Sequence, residues 1–166
     1  MRLQIGKGMD EYLTRLGNLE FTAPETVGKA VYEGADIVAD AIKANIQKMP
    51  VQDQYSEKIT GIKSIQKKGL LNSFGIAKGR NDNGYYNVKL GFDGYNGLKT
   101  KKYPRGQPNA MIARTFESGN STTRKTPFVA PAVRATREAA EAKMTQVIDT
   151  EVSKVMNVGG NENVKA

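Results

Sequence analysis

Thr22–Met49, TAPETVGKAVYEGADIVADAIKANIQKM, is the stretch that decides the fold. Val27, Ala30, Val31, Gly34, Val38, Ala41, Ile42 and Ile46 recur in it at steps of three and four, the period of one helix face. Glu33, Asp36, Asp40 and Lys43 fall largely outside that stripe. Thr22-Ala23-Pro24-Glu25 has the form of a capping box with proline in the first turn, which predicts a helix start there. Pro50 blocks continuation at the other end. The result is an amphipathic helix of roughly seven turns. Its small residues Ala30, Gly34 and Ala41 let a partner element pack close.

Upstream, Met9–Leu19 reads as a separate short helix, with Leu13, Leu16 and Leu19 near one face and Asp10 and Glu11 where the helix dipole favours acids. Downstream, Gln52–Lys68 resists assignment, because Gly61 interrupts the spacing of Ile59, Ile62 and Ile65; it is expected to be a mobile excursion. Leu70–Lys78 and Gly84–Phe92 are expected to form a hairpin. In the second segment Tyr86, Val88, Leu90 and Phe92 alternate with polar residues or glycine, and Asn83-Gly84 is a strong turn dipeptide. Asp93–Asn109 is a long loop rich in glycine, lysine and tyrosine, and Met111–Glu117 is a third strand candidate. Pro131 to about Met156 is a second long helix, with a stripe through Val133, Ala140, Met144, Val147, Ile148, Val152 and Val155.

This order predicts a single α+β domain over residues 1–166: a small antiparallel sheet packed on one face by two long amphipathic helices, with long loops. Residues 51–68 and 93–112 are expected to be mobile, and 157–166 a frayed tail.

Composition narrows the chemistry. Cysteine and histidine are both absent, which removes disulfides, thiolate and imidazole catalysis and the commonest zinc and iron ligands. No cofactor or metal is expected, and no enzyme activity. Glu117 lacks a nearby acidic partner in the sequence, so a paired-carboxylate hydrolase finds no support. Gly75-Ile76-Ala77-Lys78-Gly79 lacks the Gly-Lys-Ser/Thr ending of a phosphate loop and opens no helix. Asn81-Asp82-Asn83-Gly84 has no glutamate at the place a calcium loop requires. No apolar run is long enough for a membrane span, and Met1–Asp10 is not followed by the continuous apolar stretch of a secretory signal.

The net charge of +8 is concentrated. Lys58 to Arg105 holds 11 basic residues against two acids, Asp82 and Asp93, while the remainder is close to neutral. Within that stretch Lys99, Lys101, Lys102 and Arg105, with Tyr95 and Tyr103 nearby, mix cations and aromatics as nucleic-acid surfaces do. They can serve as a basic surface toward DNA or toward an acidic protein.

Four segments in order carry a resemblance: Gly8-Met9-Asp10-Glu11-Tyr12-Leu13, the long helix ending at Pro50-Val51, Ala113-Arg114-Thr115-Phe116-Glu117-Ser118-Gly119, and Thr126-Pro127-Phe128-Val129-Ala130-Pro131-Ala132. Together they resemble the small neck, tail-completion or minor tail component family of long-tailed bacteriophages and prophages. The most specific part is alanine, two residues, an apolar residue, glutamate, one residue and glycine, followed by Pro-Phe-x-x-Pro-Ala and a final amphipathic helix. The family's Gly-x-Leu-x-x-Ser segment has its nearest match at Gly69–Ser73, out of register by one and preceded by the added stretch Gln52–Lys68.

The resemblance implies a structural virion protein, assembled in the host bacterial cytoplasm. It would form a ring of about six copies between the head-side connector and the tail tube or its terminator, around the channel that passes double-stranded DNA. On this view Phe116, Glu117, Gly119, Pro127, Phe128 and Pro131 are candidates for contact between subunits or partners, with core packing and the start of the last helix as the plainer role for Phe116, Phe128 and Pro131. Lys99, Lys101, Lys102 and Arg105 would face the channel or a neighbouring ring. The alternative is a basic nucleic-acid-binding accessory protein, supported by a pI near 9.6 and the lysine–tyrosine loop.

Overall fold

A computed structural model describes residues 7–54 and 61–157. Four helices and two short antiparallel ladders make an α+β fold. In chain order these are α1 (Lys7–Lys48), α2 (Ser64–Ser73), β1 (Phe74–Ile76), β2 (Arg80–Asp82), β3 (Tyr85–Asn87), β4 (Leu90–Phe92), α3 (Asn109–Ser118) and α4 (Val129–Asn157).

Helix α1 is longer than its sequence predicts. The short helix expected over Met9–Leu19 and the long one expected from Thr22 are a single 42-residue helix, with Pro24 inside it. Thr22 is therefore not an N-cap: its hydroxyl donates back to the Asn18 and Leu19 carbonyls, at 3.0 and 3.3 Å. Proline removes one backbone donor from the ladder, and the surrounding turns carry the helix across the gap. At its other end α1 stops where expected. Lys67 of α2 donates to the Gln47 and Met49 carbonyls, satisfying acceptors that the helix end leaves open.

The two long helices pack on each other, not side by side on a sheet face. They run antiparallel: Asn45 Nδ2 donates to the Phe128 carbonyl, Lys143 pairs with Glu33, and Lys29 pairs with Glu151. Gly34 explains the close approach. A Cβ there would lie 2.7 Å from Met144 Cγ and 3.2 Å from the Ala140 carbonyl. Ala140 and Val147 are buried as the α4 stripe predicts, whereas Val133, assigned to that stripe, is 43% exposed.

The core thickens at the α1 C-terminus, where Ala39, Ile42, Ile46 and Met49 meet Ile62, Leu70, Phe74, Ile112, Phe116 and Phe128. The hairpin is present, but its first strand begins later than predicted because Leu70–Ser73 belong to α2. Phe74 pairs with Phe92 and Ile76 with Leu90; beyond a break, Arg80 pairs with Asn87 and Asp82 with Tyr85. Asn83 and Gly84 take φ of 54° and 90°, the two-residue turn that an Asn-Gly dipeptide favours.

Met111–Glu117 is not a strand. It lies within α3, whose buried residues Asn109, Ile112, Ala113 and Phe116 have a helical spacing that Ala110, Met111 and Arg114 also favour. Residues 109–112, assigned to a mobile loop, thus lie at the start of α3 and in its first turn. The preceding stretch is tied down as well: Asn96 N donates to the Gln107 carbonyl, Asn109 N to the Gly94 carbonyl, and Thr100 and Tyr103 exchange backbone bonds. In the 51–68 excursion, Ser64–Lys68 are helical, and Asp53 accepts from both the amide and the hydroxyl of Ser64. Residues 55–60 and 158–166, and the expectations placed on them, lie outside the described residues, as does the N-terminal segment before Lys7.

Candidate functional site

The segment from Ala113 to Ala132 works as one unit. Phe116 and Phe128 are 3% and 1% exposed and belong to the same core cluster. Phe128 and Phe92 meet as a T-shaped pair with centroids 6.0 Å apart, and Phe92 in turn packs on Phe74 at 4.9 Å, so the hairpin base is tied to the start of α4. Between the two buried rings, the Glu117 carboxylate turns back on α4. Its oxygens accept from the backbone N–H groups of Phe128, Val129 and Ala130 at 2.8, 2.9 and 2.9 Å. Pro131 has no N–H to offer. One carboxylate therefore satisfies every first-turn donor through position 131, and it places negative charge at the positive end of the helix dipole.

Partial burial works against the Glu117 charge. The three N–H bonds, with Lys125 nearby, outweigh it and hold the carboxyl below the usual glutamate range. Gly119 closes α3 with φ 71° and ψ 169°, a combination almost confined to glycine. A Cβ there would also sit 2.8 Å from Lys125 Cβ. The spacing of glutamate, glycine, proline and phenylalanine thus has a local cause: it builds the joint between α3 and α4.

Of the six residues assigned to a partner contact, the structure encloses Phe116 and Phe128 inside the chain, commits Glu117 and Gly119 to the joint, and leaves Pro131 half-buried. Pro127 is exposed. Lys99, Lys101, Lys102 and Arg105 are all exposed on the ordered loop before α3. Lys102 Nζ lies 5.6 Å from the centre of the Tyr103 ring, and the Tyr103 hydroxyl donates to Met111 Sδ, which anchors the loop to α3. The four basic residues share this one loop, and Phe128 is buried in the core.

Two surfaces lie outside the site residues expected from the sequence. The first is the N-terminal part of α1. At a rise of about 1.5 Å per residue, α1 is about 63 Å long and α4 about 44 Å. Among the described residues, Arg15 donates to the Met156 carbonyl at the end of α4, and α1 continues from there to Lys7. Tyr12, Leu13 and Leu16 are 47%, 52% and 38% exposed near that end, within about 100° of one another round the helix, while Phe21, 88% exposed, lies nearly opposite Tyr12. The spacing of Leu13 and Leu16 is the one expected from the sequence for a helix over Met9–Leu19. The second surface is a hollow on the hairpin, lined by Lys78, Arg80 and Lys89.

Among the described residues, no three acidic side chains converge to hold a metal, and no helix is long and apolar enough to cross a membrane. Comparison of the chain with protein-family models, with curated proteins and with solved structures finds no match.

Proposed function

We propose that the chain is a structural subunit of a long-tailed bacteriophage. In this reading it forms a ring in the neck or at the top of the tail, joins the head connector to the tail tube, and performs no catalysis. The observation that carries this is the uncovered apolar face of α1. Tyr12, Leu13 and Leu16 lie exposed within five residues of one another near the end of a helix that outruns its partner, and an apolar patch of this kind favours association over life as a free monomer. The joint built by Phe116, Glu117, Gly119 and Phe128 supports the reading from a second side, because the residues that carry the resemblance to neck proteins act together in space. The basic loop then lines the DNA channel or meets an acidic neighbouring ring.

Reversing the charges at Lys99, Lys101, Lys102 and Arg105 is expected to stop head–tail joining in the virus that encodes the chain, with the helical signal of the purified protein unchanged. Normal infectious particles from that variant would contradict the role given to the loop. The alternative, a free nucleic-acid-binding accessory protein, is favoured by the same cations but leaves the α1 face without a purpose.

A further inference from the structure

The hairpin contains a β-bulge that collects positive charge. Up to Ile76 and Leu90 the strands pair in one register; from Arg80 and Asn87 onward the register has slipped by one. The amide of Ala77 still donates to the Lys89 carbonyl, so Lys78 and Gly79 together face Val88 alone. A bulge of this kind bends the strand and re-aims its side chains. Here it opens a hollow of about 280 Å³ lined by Ala77, Lys78, Gly79, Arg80, Asn87 and Lys89.

Three cations thus border one concavity, and no ion pair is formed by any of them among the described residues. The hairpin's single acid, Asp82, is engaged by Asn87 Nδ2 at 2.8 Å. Stacking unpaired cations on one ribbon is unfavourable for the isolated chain, and it suits a ligand that brings negative charge. Arg and Lys donors round a small concavity match the oxygens of a phosphate. Tyr85, 79% exposed beside the turn, extends the ribbon as a further contact surface.

We propose that this hairpin is a phosphate-gripping finger for duplex DNA, with Lys78, Arg80 and Lys89 holding backbone phosphates independently of base sequence. A second copy of the chain is the less favoured occupant, because a symmetric contact between two hairpins sets Lys78, Arg80 and Lys89 against the same three cations, whereas DNA neutralises them. The proposal deepens the ring reading, on which it rests for the nearness of DNA. The site is separate in sequence from the Lys99–Arg105 loop.

The test is binding of a labelled duplex to the whole protein, followed by fluorescence anisotropy across a salt series. The triple variant K78Q/R80Q/K89Q is compared with wild type, its fold checked by circular dichroism. Each lost phosphate contact removes about 0.9 from the slope of log affinity against log salt. The triple variant is therefore expected to bind at least about tenfold more weakly, with a slope lower by about 2 to 3. Poly-glutamate of similar charge is expected to compete poorly. An unchanged slope, equal competition by poly-glutamate, or no duplex binding by wild type overturns the finger. Sedimentation of the same samples reports the ring separately: rings without hairpin-dependent binding refute the finger alone, and hairpin-dependent binding without rings refutes the ring alone.

Discussion

Glu117 shows how much one side chain settles. Its carboxylate takes three backbone donors at the start of α4 while the adjacent Phe116 fills the core. Removing a cap of this kind costs about 1 to 2 kcal/mol, so Glu117→Ala is expected to lower the unfolding free energy by that order, read from urea titration at neutral pH. The pH dependence has a definite sign. The folded carboxyl titrates below its ordinary value of 4.5, so its stabilisation is present above that pH and is lost as pH falls through the lowered folded value. Glu117→Gln cannot lose a charge, and the stability gap between it and wild type should close in acid. A gap that stays constant through that range would remove the charge from the account. In the sequence this residue was visible as part of a motif and as an unpaired acid. Its work as a cap was not, because the cap joins residues 11 to 13 positions apart across a turn.

At the scale of elements, the sequence was clearest where one period ran long. The apolar stripe of Thr22–Met49 and the Pro131–Met156 helix both stand, and the Asn83-Gly84 turn sits where its dipeptide placed it. Legibility failed where tertiary packing overrode a local signal. Thr22-Pro24-Glu25 has every mark of a helix start, yet the chain enters it already helical. Met111–Glu117 is too short for its apolar pattern to separate strand from helix, and the burial of Ile112, Ala113 and Phe116 decides for helix. Pro24 offers the test at this scale. Replacing it with alanine restores a donor toward the Glu20 carbonyl and removes the ring's clash with it, at a site that is exposed. Pro24→Ala is expected to raise helical content and stability, by up to about 3 kcal/mol. A fall in melting temperature would mean that α1 needs a bend there.

For the whole molecule, charge and shape diverge between its parts. The two long helices form a largely charge-balanced rod, while α2, the hairpin and the loop before α3 carry basic excess, on exposed residues in the hairpin and the loop. The concentration of charge was legible from Lys58–Arg105; its division into a bulged finger and an anchored loop was not, since a one-residue slip between strands leaves no mark in composition. The apolar side of Met9–Leu19 was legible, but its place in the rod was not. Reading two helices instead of one separated Leu13 and Leu16 from the long helix they continue. That face is where self-association is expected to begin, because Tyr12, Leu13 and Leu16 stand exposed within five residues of one another.

The most direct measurement is the mass of the purified chain in solution, by light scattering over a range of concentrations. The account predicts a closed oligomer of about six copies of the 18.1 kDa chain that falls to monomer when Tyr12, Leu13 and Leu16 are changed to serine. A wild-type chain that stays monomeric at every concentration would contradict it.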